Sequence, residues 1–389
     1  MPPAADFGPN ASVTRAFKST VYDEPGLGPR PNGRMARRVW KLKRTLNAAS
    51  ASADRNWTKA SAGLSLDRAR RAEDWEFATW SRKWPELKSA LTQAVTSPVA
   101  HIVAPSSDVE LICGLAQLRD ELPHLKHAHI HARLISLAPT LSRLRAGPAA
   151  TPAYAQLMAT RLSNVHLYVE TPAMQQLLAQ ASGLPSTIYP YLLAPLPFVP
   201  RTDLSPVRFG YFGGMRNEKG FKRLVPILQK LARLQSPSDP ELAVTIHGSD
   251  AKGTEATDLQ SAFAAIATQR LKIEFIAGPL NETDYHEKFT AIDGALLPYT
   301  GARYASSGSG IVCEALAMGK VILLSKGLSF GGQCDPSHSI AAADDAEFAQ
   351  AILDVARNLP RYRLAASKRA ASYCEDAKNC QLLQRLTAK

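Results

Sequence analysis

After residue 206 the sequence alternates short apolar runs with longer amphipathic segments, and this alternation constrains the fold more than any other feature. Short apolar runs are typical of buried strands, and the amphipathic segments have the apolar spacing of helices. The predicted strands are 207–212, 242–247, 271–276, 294–297 and 321–324. The predicted helices are 222–234, 257–269, 283–290, 309–318, 344–357 and 360–373. Strands joined by helices form a parallel sheet covered on both faces, so the pattern predicts an α/β fold.

A second block of the same kind begins near residue 97. Its predicted strands are 98–103, 127–134 and 164–169, and a helix over 172–181 is expected to end at Gly183. The Pro-rich stretch 185–206 predicts an extended linker without any regular element. We therefore expect two Rossmann-like domains whose parallel sheets face each other across a cleft. The predicted divisions are an N-terminal extension at 1–96, a first domain at 97–192, a linker at 193–206, a second domain at 207–375 and a C-terminal helix or tail at 376–389.

The charge of the chain predicts an anionic partner. Lys and Arg number 46 against 34 Asp and Glu, for a formal net charge of +12. Nucleic acid, a phosphate-bearing small molecule and an anionic membrane all satisfy this condition. The sequence has no apolar run of about 18 residues, the N-terminal residues lack the layout of a secretory signal, and the five cysteines are scattered. We therefore expect a cytoplasmic protein.

The first candidate site follows the strand at 207–212. There Gly213 and Gly214 precede a basic turn that contains Arg216 and Lys219, and a helix follows. Glycines allow the backbone to approach a ligand closely, and a helix N-terminus beside cations suits a phosphate. The alternative is a tight strand–helix turn with two solvated cations.

The second candidate site follows the strand at 294–297. A loop rich in Ser and Gly opens a helix there, and Glu314 lies one turn into that helix among apolar neighbours. A carboxylate in such surroundings needs hydrogen-bond donors, and sugar hydroxyls would supply them. The alternative is a helix cap with a structural Glu. The loop residues proposed as ligand-binding are Ser306, Ser307, Gly308, Ser309 and Gly310.

Together the two motifs resemble the C-terminal donor domain of retaining GT-B glycosyltransferases (glycosyl transferases group 1, family 4-like). The resemblance covers about 205–375 and implies that Lys219, with Arg216 beside it, binds the diphosphate of a nucleotide-sugar donor, while Glu314 binds ribose hydroxyls. Two positions depart from the family pattern. Gly214 stands where the family often has Arg, so that Arg216 is the expected substitute, and Ser306 stands where many members have a second Glu.

The resemblance implies transfer of a hexose-type sugar from a nucleoside diphosphate to a glycan or lipid-linked acceptor, with retention of configuration. No cofactor and no metal are expected, because the sequence lacks an Asp-x-Asp motif and its cations would stabilise the leaving diphosphate instead. No nucleic-acid partner is expected, since no recognisable binding module is present. Two alternatives stay open: a nucleotide-sugar epimerase on the same fold, and a non-catalytic protein that binds anionic ligands.

Two further features of the sequence are weaker indications of function. His127, His129 and His131 alternate along a predicted strand, and His129 and His131 are weak candidates for contact with the acceptor or the sugar; ordinary strand residues are the alternative. The segment 34–44 is basic on one helical face and apolar on another, which favours an anionic membrane surface at the inner face of the plasma membrane; a solvated helix face is an equal alternative.

Overall fold

The computed structural model describes residues 85–107, 109–137, 161–189, 205–300 and 302–387. The basic segment 34–44 lies outside these residues, as does most of the predicted N-terminal extension. The chain divides into two compact units. The first ends at Tyr189 and also contains the residues from Gln384 onward, and the second comprises 190–383.

The first unit contains a four-stranded parallel sheet with the order β1-β2-β3-β4. Its strands are β1 (His101–Ser107), β2 (His129–Leu134), β3 (Val165–Val169) and β4 (Thr187–Ile188). Its described helices outside the C-terminal segment are α1 (Pro85–Ala94), α2 (Val109–Glu121) and α3 (Pro172–Ser182).

The alternation of residues along these strands determines the two faces of the sheet. On β2, Ile130, Ala132 and Leu134 are buried in an apolar core that includes residues of α2 and α3. Because side chains alternate along a strand, His129 and His131 lie on the opposite face. Gly183 ends α3 in the left-handed conformation, with φ +70°, as its sequence position predicts.

The prediction that the Pro-rich stretch contains no regular element was wrong. β4 lies inside it, and the N–H of Tyr189 donates to the carbonyl of Val169 at 2.8 Å. Pro185 and Pro190 flank the strand instead of interrupting it, so the missing proline N–H groups do not disturb the pairing. β1 also differs from its prediction: it begins at His101 and continues through Pro105, which an edge strand tolerates.

The second unit contains a six-stranded parallel sheet with the order β10-β9-β8-β5-β6-β7. Its strands are β5 (Val207–Gly213), β6 (Leu242–Gly248), β7 (Leu271–Ala277), β8 (Gly294–Leu297), β9 (Val321–Ser325) and β10 (Ser339–Ala342). Its helices are α4 (Leu224–Leu234), α5 (Gly253–Ala264), α6 (Glu282–Ala291), α7 (Gly310–Ala317), α8 (Asp345–Arg357) and α9 (Leu359–Lys378). A last helix, α10 (Gln381–Thr387), crosses the division at Gln384.

The five strands predicted in this unit are present, each within one residue of its predicted end. Three predictions need correction. α5 begins at Gly253 and ends at Ala264, so the predicted span 257–269 is displaced toward the C-terminus. β10 was not predicted, because Ser339–Ala342 contains only one large apolar residue, Ile340, and so does not form an apolar run. α9 continues to Lys378, so the domain boundary predicted at 375 falls inside a helix.

The order of the strands identifies a single switch point. From β5 the chain moves outward to β6 and β7, and it then crosses to β8 on the other side of β5. In open parallel sheets, ligands bind outside the carboxyl ends of the strands where the order reverses. The two sequence motifs follow β5 and β8, and both therefore lie at this switch point.

Among the residues that the structure describes, no helix is long and apolar enough to cross a membrane.

Helix α4 packs on the sheet of the second unit through Leu224, Ile227, Leu228 and Leu231, none of which is exposed. Leu234 has the spacing expected of this buried stripe, but 46 % of it is exposed, because it is the last residue of the helix.

We therefore expect Leu228→Ala to lower the free energy of unfolding by about 2–5 kcal/mol, through lost burial and a residual cavity. Leu234→Ala is the matched control, with an expected loss within about 0.5 kcal/mol. Urea denaturation followed by circular dichroism measures both, and equal losses would contradict this account of the packing.

Candidate functional site

The turn after β5 brings a lysine over a glycine. Gly213 has φ +144°, and a Cβ atom built on it would lie 2.8 Å from Nζ of Lys219. A side chain at position 213 would therefore displace the ammonium group. The turn leads into a 3₁₀ turn (Asn217–Lys219) and then, through Gly220, into α4. Because Gly213 has no side chain, Lys219 lies against the carboxyl end of β5. A glycine at this position also allows a ligand to approach the backbone closely.

A second glycine docks this turn on the loop after β8. Gly220 has φ +68°, and a Cβ atom on it would lie 1.7 Å from the carbonyl oxygen of Pro298. The N–H of Thr300 donates to the carbonyl of Glu218 at 2.9 Å, and Oγ1 of Thr300 donates to the carbonyl of Asn217 at 2.9 Å. The backbones that follow the two central strands are therefore in direct contact.

Lys219 is the most perturbed cation of the site. Burial, and to a smaller extent the charge of Arg216, lowers its pKa to about 8. The carboxylates of Glu218, Glu314 and Asp250 act in the opposite direction. The ammonium group lies 6.0 Å from the ring centroid of Tyr299. Burying an ammonium group beside another cation is unfavourable, and an anionic ligand would relieve this cost.

Arg216 is more exposed than Lys219 and forms a loose ion pair. Its Nη1 lies 3.4 Å from Oε1 of Glu218, and Nη1 of Arg303 lies 3.5 Å from the same oxygen. Arg303 belongs to the 3₁₀ turn Ala302–Ala305 after β8. Two guanidinium groups from two loops therefore share one carboxylate oxygen.

Gly214 lies against an acidic side chain. A Cβ atom on Gly214 would lie 3.3 Å from both carboxylate oxygens of Asp250, and Oδ1 of Asp250 accepts a hydrogen bond of 2.6 Å from the N–H of Met215. The carbonyl of Gly214 accepts from the hydroxyl of Tyr211 at 2.9 Å. These contacts fix the backbone at the position where the family pattern that the sequence resembles often has Arg.

The Ser/Gly loop that opens α7 is largely buried and is held by a side chain from outside the loop. Ser306, Ser307 and Ser309 are buried, and the carbonyl of Ser307 accepts from Oγ of Ser329 at 2.5 Å. Ser309 is the N-cap residue of α7 but makes no side-chain capping bond; its Oγ lies 3.4 Å from the hydroxyl of Tyr299. Gly310 is exposed, with no atom within 4 Å of a built Cβ. The N-terminal end of α7 is thus open to a ligand beside Gly310.

Glu314 is paired with a tyrosine that the sequence did not identify. The hydroxyl of Tyr285, on α6, donates to Oε2 of Glu314 at 2.6 Å. Burial raises the pKa of Glu314, and the hydrogen bond from Tyr285 and the charge of Lys219 oppose that rise. The side chain of Glu314, which also carries Oε1, is half-buried. The structure therefore brings the two motifs together, since Lys219 and Glu314 each shift the pKa of the other.

His247, at the carboxyl end of β6, lies beside this pair. Its ring centroid is 6.4 Å from that of Tyr285 and 6.2 Å from that of Phe212. Nε2 lies 2.9 Å from the carbonyl oxygen of Gly278, so Nε2 must carry the proton of that hydrogen bond. Nδ1 of His247 is buried and has no hydrogen-bond partner. No sequence pattern distinguished this histidine from any other strand residue.

Four histidines of the first unit form a cluster on one face of its sheet. His129 and His131 on β2 lie between His101 on β1 and His166 on β3, with ring centroids 5.0–5.7 Å apart. Burial lowers the pKa of His131 to about 3 and that of His166 to about 4, so both rings are neutral near pH 7. His127 precedes β2 and does not belong to that strand.

Hydrogen bonds within the cluster join Nδ1 of His101 to Nε2 of His131 and Nδ1 of His129 to Nε2 of His166, each at 3.1 Å. Nδ1 of His131 lies 3.1 Å from the hydroxyl of Tyr168, and Arg385 of α10 contacts Nδ1 of His166. Over the described ranges, no group of three or more His, Cys, Asp or Glu residues is arranged to hold a metal ion. Contact of His129 or His131 with an acceptor or a sugar stays a prediction.

Several residues of the site come from outside the two motifs. Tyr285, His247 and Asp250 follow or flank other strands, and Arg303 stands between the motif residues without matching the family pattern. The spacing of the sequence carries no signal for them, because they meet Glu314, Gly214 and Glu218 only once the order of the strands is known.

Comparison with known proteins identifies the fold. No protein-family model matches the sequence, and no curated protein matches it. Solved structures do match. OtsA in its apo form is 12 % identical, with a TM-score of 0.56 over 83 % of this chain and 78 % of that one. An E. coli trehalose-6-phosphate protein bound with UDP-2-fluoro glucose is 13 % identical, with a TM-score of 0.57 over 82 % of this chain and 79 % of that one.

Anabaena HepE in complex with UDP is 15 % identical, with a TM-score of 0.53 over 78 % of this chain and 82 % of that one. At these identities the likeness concerns the fold. Two Rossmann-like parallel sheets, of four and six strands, together with the match to these proteins, identify the GT-B fold that the sequence motifs imply.

Proposed function

We propose that the protein is a glycosyltransferase that moves a hexose-type sugar from a nucleoside diphosphate to a glycan or lipid-linked acceptor. The observation that supports this most directly is the meeting of Lys219 and Glu314 at the switch point of the second sheet. One is a half-buried cation with a lowered pKa, and the other is a half-buried carboxylate with a raised pKa. Perturbed groups of opposite charge at the carboxyl ends of parallel strands are typical of functional sites.

The structural neighbours support a nucleotide-sugar donor. One is bound with UDP-2-fluoro glucose, and HepE is seen both with UDP and with UDP and glucose. Another neighbour, an α,α-trehalose-phosphate synthase from Burkholderia xenovorans, is in complex with glucose-6-phosphate. UDP or a related nucleoside diphosphate is accordingly the first donor nucleotide to test.

In this proposal the cations act on the leaving group. Cleavage of the sugar–phosphate bond leaves negative charge on the nucleoside diphosphate, and preorganised cations stabilise that charge as it develops. Lys219 and Arg216 are the groups placed to do so. Gly213 and Gly214 allow the phosphates to approach the end of β5, and Gly310 leaves the N-terminal end of α7 accessible. This assignment is metal-independent, and we propose that transfer retains the configuration of the sugar.

Glu314 binds the ribose in this proposal. Tyr285 occupies Oε2 of the carboxylate, which fixes its orientation and leaves Oε1 to accept a hydrogen bond from a ribose hydroxyl. Ser306, Ser307, Gly308 and Ser309 are the remaining proposed donor contacts. Since Ser306 replaces a carboxylate of the family pattern, the donor sugar is held through a hydroxyl or a backbone group at this position.

Two alternatives give different reaction products. A nucleotide-sugar epimerase would convert the donor without any acceptor, and a non-catalytic protein would bind it unchanged. The test is a panel of nucleoside diphosphates and their sugars, followed by thermal shift and then by product analysis with and without glycan acceptors. We expect a ligand at 100 times its Kd to stabilise the protein by about 2.7 kcal/mol, and free nucleoside diphosphate to accumulate only with an acceptor. Epimerised donor in the absence of acceptor, or no binding by any member of the panel, would refute the proposal.

The lowered pKa of Lys219 predicts a pH dependence of donor binding. An anion binds the protonated ammonium group, so affinity for UDP is expected to fall as the pH rises above about 8. Titration calorimetry between about pH 7 and 9.5 avoids protonation of the phosphate, whose second pKa is about 6. Lys219→Ala should weaken binding and remove the pH dependence. Arg216→Ala is the informative comparison, because loss of a neighbouring cation raises the pKa of Lys219 and moves the decline to higher pH. An unchanged pH profile in Lys219→Ala would exclude this role.

Substitution of Glu314 tests recognition of the ribose. Charge-assisted hydrogen bonds of this kind contribute about 1.5–3 kcal/mol, so Glu314→Gln should weaken binding of a nucleoside diphosphate by about tenfold, and Glu314→Ala by more. A 2′-deoxyribose ligand should lose affinity relative to ribose in the wild type and lose little extra in Glu314→Ala. Calorimetric Kd values for the two ligands decide this. If wild type and Glu314→Ala discriminate equally against the deoxy ligand, Glu314 does not contact the ribose.

The basic segment 34–44 is a separate matter. We propose from its sequence alone that it associates with an anionic membrane surface. Salt-sensitive cosedimentation with anionic vesicles supports this proposal if it disappears when Arg34, Arg37, Arg38 and Lys41 are replaced by Gln, and refutes it if binding persists.

A further inference from the structure

The two loops at the switch point are bridged by one carboxylate. Glu218, in the turn after β5, has Oε1 within 3.4 Å of Nη1 of Arg216 and within 3.5 Å of Nη1 of Arg303. Arg303 lies on the loop after β8, so the two guanidinium groups approach the same oxygen from different segments of the chain. A single anionic oxygen therefore lies between two cations at the mouth of the site.

This bridge is loose. Both N···O distances exceed the 2.7–2.9 Å that is usual for charge-assisted hydrogen bonds. The side chains of Arg216, Glu218 and Arg303 are 43 %, 30 % and 35 % exposed, respectively. Ion pairs with this geometry and exposure contribute little to stability, and an incoming anion displaces them easily.

The bridge is also unnecessary for holding the loops together. Thr300 already joins them through hydrogen bonds to the carbonyls of Glu218 and Asn217, and Gly220 packs directly on Pro298. None of these contacts involves the carboxylate of Glu218. The carboxylate is thus a group held by two arginines, and the fold beneath it does not depend on it.

The charges around Glu218 determine which kind of ligand this arrangement can bind. Lys219 lies in the same turn, with its ammonium group close to Gly213, and the charge of Arg216 is one reason for its lowered pKa. At position 214, where the family pattern often has Arg, the backbone is packed against Asp250, with 3.3 Å between a built Cβ and the carboxylate oxygens. A guanidinium group for the ligand must therefore come from another position.

We propose that Arg303 is a second guanidinium ligand of the donor diphosphate, and that the carboxylate of Glu218 occupies the place between Arg303 and Arg216 until the diphosphate displaces it. This inference rests on the proposed function. The carboxylate oxygen stands where a phosphate oxygen binds, and guanidinium groups bind phosphate oxygens well. In this arrangement Glu218 competes with the ligand, and Arg303 exchanges its contact with Glu218 for one with a phosphate oxygen.

The sign of the change in Glu218→Gln tests the proposal. Loss of the Glu218 charge also lowers the pKa of Lys219, so the comparison is made at about pH 6.5, where Lys219 stays protonated. If Glu218 competes with the diphosphate, removing its charge should then strengthen binding of UDP by about threefold or more, whereas a carboxylate that merely positions the arginines would weaken binding when lost. Arg303→Gln should weaken UDP binding about tenfold, and the same loss should persist in the double variant with Glu218→Gln. Inorganic pyrophosphate, which lacks the nucleoside, should respond in the same direction.

The matched control is Arg233→Gln, the same chemical change at an exposed residue near the end of α4, and its Kd should equal that of the wild type. UDP affinity that is weaker in Glu218→Gln, or unchanged in Arg303→Gln, overturns the proposal even when Lys219→Ala lowers affinity as the proposed function requires. Failure of the wild type to bind any nucleoside diphosphate overturns both. If Arg303→Gln does not fold by circular dichroism, the sign of the change in Glu218→Gln decides alone.

Discussion

The arrangement of the site depends on one close backbone contact, that of Gly220 with the carbonyl of Pro298. A Cβ atom at position 220 would lie 1.7 Å from that oxygen, and the backbone there has φ +68°, so both space and conformation require glycine. This contact sets the separation of the turn after β5 from the loop after β8. The positions of Lys219, Glu218 and Arg303 relative to one another follow from it.

The sequence predicted what depends on local pattern. Alternating apolar runs placed the strands from β5 to β9 within one residue of their ends, because a buried parallel strand is a continuous apolar run with turn residues at its borders. The glycines of the first motif marked positions that now show positive φ or close approach. Local pattern failed where a strand has few large apolar residues of its own: β4 (Thr187–Ile188) and β10 (Ser339–Ala342) each contain one, and they are recognised by their pairing with β3 and β9.

Contacts between residues that are distant in the sequence could not be predicted, for a different reason. Tyr285 donates to Glu314 across 29 positions, and Arg303 approaches Glu218 across a still longer separation. Such contacts are determined by the order of the strands, in which β8 lies next to β5 although two strands intervene in the chain. A sequence that predicts each strand correctly still leaves this order open. The motif residues were therefore identifiable in advance, and the groups that orient them were not.

The electrostatics of the site favour an anion before any ligand arrives. Burial disfavours the charged form of both Lys219 and Glu314, so each group is held in the free site at a cost. The attraction between Lys219 and Glu314 offsets part of that cost. For Lys219, the nearby charge of Arg216 increases the cost. A diphosphate relieves the repulsion between the cations, and a ribose hydroxyl supplies Glu314 with a donor besides Tyr285. Binding of both parts of one ligand therefore stabilises two groups that the folded protein alone leaves incompletely satisfied, which favours a ligand that joins a phosphate to a ribose over either part alone.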